Sequence, residues 1–178
     1  MRTIERFMGW LKRQKTWKVF LLAWGFLLVW KVLVGGMFYL MGWEFSQNVY
    51  RENPATSNSL IETCIIAPLM EEPLFRWIPM LLLSFVLMRL YMTSRIDKER
   101  FFSIEKYALL VLAIVTSIIF GWVHGNFLNV FIQGVSGLVI MLVYLRVFFI
   151  RRDKGIRNRW QVVSLAEAML LHGLTNFI

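Results

Sequence analysis

Apolar residues fall into five long runs along this chain, at residues 17–41, about 60–92, 106–125, 128–150 and 162–178, with short, mostly basic connections between them. A hydrocarbon core ~30 Å thick is crossed by roughly 20 apolar residues in a helix. Each run therefore predicts one membrane segment, and the chain as a whole predicts an all-α, multi-pass transmembrane helical bundle. The first run extends to Met41 from a basic start without a small-residue cleavage site, so it predicts an uncleaved helix and not a signal peptide. The second run is too long for one straight span and contains Pro68, Pro73 and Pro79. Each proline removes an amide donor and crowds the carbonyl four residues back, at Cys64, Leu69 and Phe75. The segment should be kinked or broken, which a bilayer tolerates where the freed carbonyls border a protein-lined or wet cavity.

Composition supports this pattern: 58% of the 178 residues are hydrophobic, against about 45–50% in soluble domains, and mean hydropathy is +0.58. The net charge of +9 sits in blocks beside the apolar runs. Arg2, Arg6, Lys12, Arg13, Lys15 and Lys18 precede the first run; Arg89, Arg95, Lys98, Arg100 and Lys106 surround the second connection. Arg146, Arg151, Arg152, Lys154, Arg157 and Arg159 mark the fourth. The other two connections carry Arg51 alone and no Lys or Arg, so the positive-inside bias predicts a cytoplasmic N-terminus and an extracytoplasmic C-terminus. Blocks of this kind lack a groove-reading or strand-binding motif, and nucleic acid is not an expected partner; the lipid bilayer is.

Trp10, Trp17, Trp43 and Trp160 near the run ends read as an aromatic belt. Lys31, inside the first run, is expected to extend its chain to the interface. The single cysteine, Cys64, excludes an internal disulfide and reads as a structural thiol.

The remaining embedded ionisable residues are few: Glu71, Glu72, Arg76, His124, Glu167 and His172. A carboxylate at bilayer depth costs roughly 2.5–3.5 kcal/mol on insertion scales, so such residues are rare and point to function. Glu72 and Arg76, four apart, share a helix face and can pair. Glu71 points about 100° away and is left to face a cavity. His124 closes "FGWVH", and His172 stands four before Asn176 in "HGLTNF". Together with Glu71 these supply one carboxylate, two imidazoles and an amide on three segments, a set able to activate water and stabilise an oxyanion. Glu167, about 140° round its helix from His172, reads as an interfacial or helix-pairing residue.

"EEPLFR", "FGWVH" and "HGLTN" resemble, in order, the EExxxR, FxxxH and HxxxN/D motifs of the CPBP (Abi) family of intramembrane peptidases, which includes CAAX proteases and bacteriocin-processing enzymes. "FIQGVSGLVIMLVY" is similar to the family's glycine-containing helix between the second and third motifs. The resemblance divides the chain into residues 1–57, a basic segment with the first helix and an outer loop, and residues 58–178, a catalytic membrane core. It implies a membrane-embedded endopeptidase in which Glu71 activates water, His124 and His172 serve as zinc ligands or direct stabilisers, and Asn176 helps to hold the oxyanion. Glu72 and Arg76 then take a supporting role. H-E-x-x-H is absent, and both zinc and a metal-free mechanism remain open.

With one segment ahead of the matching region, the resemblance is expected to extend to bacterial plasma-membrane relatives. These process secreted or membrane-associated peptides, or confer immunity to them, in contrast to proteases of prenylated tails. A non-catalytic immunity or peptide-binding protein and a proton-coupled transporter would use the same polar cluster differently.

Overall fold

The computed structural model describes residues 2–42, 60–94, 96–125, 127–153 and 160–177. Six helices account for nearly all of them: α1 (Arg2–Arg13), α2 (Thr16–Leu40), α3 (Glu62–Thr93), α4 (Lys98–Val123), α5 (127–153) and α6 (Trp160–Asn176). The five expected segments correspond to α2 to α6. Among the described residues four of these, α2 to α5, are long and apolar enough to cross a membrane, whereas α6, at 17 residues, is not one of them. Trp43, Arg51, Arg95, Lys154, Arg157 and Arg159 lie outside the described residues.

The distribution of side chains suits hydrocarbon as solvent. Leu69, Met70, Leu82 and Phe85 stand exposed along α3, as do Val111 and Ile118 on α4, whereas Glu72, Arg76 and His172 are buried. α5 packs against α1, α2, α4 and α6, while α3 packs against α4 and α6. The shared core holds Leu27, Met80, Leu109, Ile140, Met141, Leu145 and Leu171. This is an all-α multi-pass membrane protein.

In α3 the expected irregularity takes the form of two wide turns instead of a break. Residues Glu62–Ile66 and Pro73–Trp77 form π turns, closed by Ala67 N–H to the Glu62 carbonyl and Ile78 N–H to the Pro73 carbonyl. A π turn inserts an extra residue into the hydrogen-bond ladder, and here one lies just before Pro68 and another just before Pro79. The helix continues past its prolines, and the two glutamates occupy the ordinary stretch between the wide turns.

The apolar-run pattern did not identify α1. It is amphipathic, with Met8 and Leu11 buried and Phe7 and Trp10 partly exposed. Arg146 fastens it. The charge count placed this residue in a connection, but it lies within α5 and is 2% exposed. Its Nε donates to the Leu11 carbonyl at 2.8 Å and its guanidinium also reaches the Gln14 carbonyl and Thr16 Oγ1. The last carbonyls of a helix have no intrahelical donor and carry partial negative charge, so a cation there satisfies both needs. Arg146→Met, which keeps bulk and removes every donor, should loosen α1: hydrogen exchange rises across residues 2–16 while α4 and α6 stay protected. Arg146→Lys restores only part of the protection, because one ammonium cannot reproduce the planar fork. Unchanged exchange in the methionine variant would assign the docking of α1 to Met8 and Leu11 alone.

Candidate active site

The two glutamates diverge as helical spacing predicts. Glu72 is fully buried and its Oε1 lies 3.0 Å from Arg76 Nη1. Arg76 is held further by the ring of Phe120, 4.5 Å from its Cζ, and by a long donation from Nη2 to the Gly137 carbonyl at 3.4 Å. Gly137 leaves this space: a Cβ there would stand 3.0 Å from Phe120 Cδ1 and 3.2 Å from Arg76 Nη2. Glu71 turns the other way, with its side chain 27% exposed.

His124 sits at the C-terminal end of α4, which Gly125 stops with a φ of 132°, a conformation that favours glycine. The backbone amide of His124 bonds to the Gly121 carbonyl, leaving the Phe120 carbonyl to accept from the imidazole Nδ1 at 2.6 Å. Asn129 Nδ2 donates to the His124 carbonyl at 2.6 Å. The start of α5 is thereby tied to the end of α4. Close backbone approach does the rest: a Cβ on Gly121 would fall 2.6 Å from Val130 Cα.

His172 is brought in by α6, whose C-terminal end is clamped from two sides. A Cβ on Gly173 would lie 2.3 Å from the Cys64 carbonyl oxygen, so only glycine lets α6 seat against the first wide turn of α3. Cys64 is one of the carbonyls freed by a proline, and the Asn176 Nδ2 donates to the neighbouring Thr63 carbonyl at 2.9 Å. From the opposite side Lys31 donates to the Thr175 carbonyl, and Thr175 Oγ1 donates to the His172 carbonyl at 2.8 Å. Lys31 thus serves as a cross-helix tether and does not extend to the interface. A charged hydrogen bond of this type contributes about 1.5–3 kcal/mol. Lys31→Met should therefore lower the thermal unfolding temperature in detergent measurably, and Lys31→Arg should recover most of it. A methionine variant that unfolds with wild type would remove the tether's role.

Three polar groups then face one another. Glu71 Oε2 lies 3.6 Å from His124 Nε2 and 3.7 Å from His172 Nε2, and it has no hydrogen-bond partner among the described residues. These separations exceed a direct hydrogen bond and suit a bridging water. On the far side of His172, Nδ1 lies 2.7 Å from Glu72 Oε1. A carbonyl oxygen and an ionised carboxylate only accept, so Nδ1 carries the proton in both rings. Each Nε2 then presents a lone pair when its ring is neutral and a donor when it is charged.

That donor set fits zinc chemically. Two lone-pair nitrogens with outer hydrogen bonds on their other ring atom, beside a carboxylate, are the usual company of the metal. Ligand atoms about 2.0–2.2 Å from a tetrahedral centre stand roughly 3.3–3.6 Å apart, close to the observed spacing. Among the described residues, however, no three such groups are already closed around a common point.

The structure thus gathers Glu71, Glu72, Arg76, His124 and His172. It does not place the Asn176 amide in the carboxylate–imidazole contact, because that nitrogen is held by Thr63. Sequence reasoning missed the contact between Glu72 and His172, which joins two helices 100 residues apart. It also missed Asn129 and Gly173 and the inter-helix contact of Lys31, for which spacing along one helix gives no signal.

No family model, characterised protein or solved structure matches this chain. The class shown by the structure is that of a multi-helix membrane protein with a buried carboxylate–histidine–arginine cluster.

Proposed function

We propose that the chain is a membrane-embedded endopeptidase of the CPBP type, hydrolysing a peptide bond of a membrane-associated or secreted peptide. One observation carries the proposal: Glu71 Oε2 stands within 3.7 Å of two imidazole nitrogens whose opposite ring atoms are each fixed by an acceptor. The motif resemblance agrees with it, and so does the asymmetry of the site. Glu71 and His124 are partly open at 27% and 19%, while His172 and Glu72 are closed at 3% and 0%.

In this reading a water between Glu71 and the two rings gives its proton to Glu71 as its oxygen attacks the substrate carbonyl. Glu71 later passes that proton to the leaving amine, so the base is regenerated. His172, flanked by Glu72 and Glu71, directs its Nε2 toward the same space and assists the developing oxyanion in this reading. Glu72 orients this ring, and Arg76 holds Glu72 in place by pairing with it. Were zinc bound, His124, His172 and Glu71 would hold it, and the ion would supply acidification of a bound water. Asn176 acts as a positioning residue for α6 in this scheme, through Thr63.

The site's place on a bacterial plasma membrane, with the basic helix ends in the cytoplasm and the C-terminus outside, belongs to the same proposal. The test is mass spectrometry of membrane peptides from cells carrying wild-type or Glu71→Gln protein, followed by cleavage of the differing peptides with purified enzyme. Products from wild type alone support hydrolysis. Identical peptide pools, together with retention of an uncut peptide by both proteins, point to a docking or immunity protein instead.

A further inference from the structure

Away from the polar cluster, at the opposite, basic end of the bundle, α1, α2 and α5 line an open-sided cavity of about 250 Å³ with almost wholly apolar walls. Phe7 and Trp10 contribute from α1, Leu22 and Phe26 from α2, and Val139 and Leu142 from α5. The volume is below the roughly 300–1,000 Å³ of pockets that hold whole drug-sized ligands, and suits one hydrocarbon tail. Arg146 fixes the joint between α1 and α2, so the walls are set by packed helices.

Basic residues stand on the same elements. Lys15 caps the start of α2 and Lys18 lies in its first turn, beside Val19, and on α1, Arg6 shares a face with Trp10 and Arg13. Arg6, Arg13, Lys15 and Lys18 are exposed, and Glu5 is the sole acid in residues 1–43. Phe7 and Trp10 stack at 6.3 Å and are 45% and 42% exposed, as aromatic side chains at a headgroup boundary are. An occupant matching both parts has an apolar tail and an anionic head.

We infer that the apolar cavity between α1, α2 and α5, together with the exposed Arg6, Arg13, Lys15 and Lys18 on α1 and at the start of α2, is a binding site for one anionic phospholipid. Bulk lipid tails would cover any apolar surface; selection by headgroup charge makes this a site. It does not depend on the hydrolase reading.

The test uses the full chain in neutral detergent, mixed with equimolar phosphatidylglycerol and phosphatidylcholine of identical acyl chains and analysed by native mass spectrometry. A single phosphatidylglycerol adduct should dominate. Lys15→Gln with Lys18→Gln should cut that preference about tenfold, since each basic residue near a lipid surface contributes appreciably to anion attraction. Leu142→Trp, which fills the cavity, should reduce both adducts while the protein still elutes as a single species. Equal retention of the two lipids, or a preference untouched by the lysine changes, overturns the site. So does displacement of the lipid by equimolar inorganic phosphate, a dimer in place of the adduct, or preferential retention of an added acidic peptide.

Discussion

Glu71→Gln is expected to abolish peptide cleavage while leaving the protein inserted and at least as stable as wild type. The substitution keeps the shape of the side chain and removes its basicity, so an attacking water would lack the group that takes its proton. A positioned general base contributes typically 10²–10⁴-fold, and a loss in that range of kcat/KM, measured with purified protein and a substrate peptide, is the predicted result. Stability should move the other way. Glu71 Oε2 has no hydrogen-bond partner among the described residues, and a carboxylate at bilayer depth costs roughly 2.5–3.5 kcal/mol on insertion scales.

The opposed trends in activity and stability separate this reading from its rivals. A residue that merely held helices together would lose both, and Glu71→Asp distinguishes them further. It keeps the base but withdraws it by about one bond, and a misplacement near 1 Å can cost on the order of 10²-fold. Full activity in the glutamine variant would remove Glu71 from the chemistry.

What the sequence made legible follows from the range of each physical signal. Apolar runs report burial in lipid directly, so α2 to α5 were placed to within a few residues, apart from the start of α4. The charged first turns of α4, Lys98 to Glu105, hid its true beginning. α1 was hidden for a related reason: a helix lying half in water has no unbroken apolar run. Within one helix, spacing sufficed to pair Glu72 with Arg76 and to turn Glu71 away from them.

Between helices it did not. The contact of His172 with Glu72 depends on how α6 seats against α3, and that in turn on Gly173 and on carbonyls released near Pro68. The prolines announced irregular backbone but not its form. The pattern assigns Asn176 to the oxyanion and Lys31 to the interface, and both instead fasten the end of α6.

Arg76→Met should be the most destabilising single change in the cluster, lowering unfolding stability by roughly 3–5 kcal/mol, the usual cost of stranding one member of a buried ion pair. Glu72 is 0% exposed and Arg76 1%, so neither water nor lipid headgroups can take over the lost partner. Two further contacts go with the guanidinium: the face of Phe120 at 4.5 Å and the Gly137 carbonyl at 3.4 Å. Adding Glu72→Gln to Arg76→Met removes the stranded charge and should return a large part of the loss, though not the stacking on Phe120.

The double-mutant cycle isolates the pair from those other contacts. Chemical unfolding in detergent, followed by far-ultraviolet circular dichroism, measures all four proteins. Non-additivity is required by the pairing argument, since Glu72→Gln made alone strands Arg76 and leaves His172 Nδ1 with a weaker acceptor. If the two single losses simply sum, the ion pair does not hold the site together. Its architecture would then rest on the close approaches at Gly121, Gly137 and Gly173 and on the hydrogen bonds of Lys31, Asn129 and Asn176.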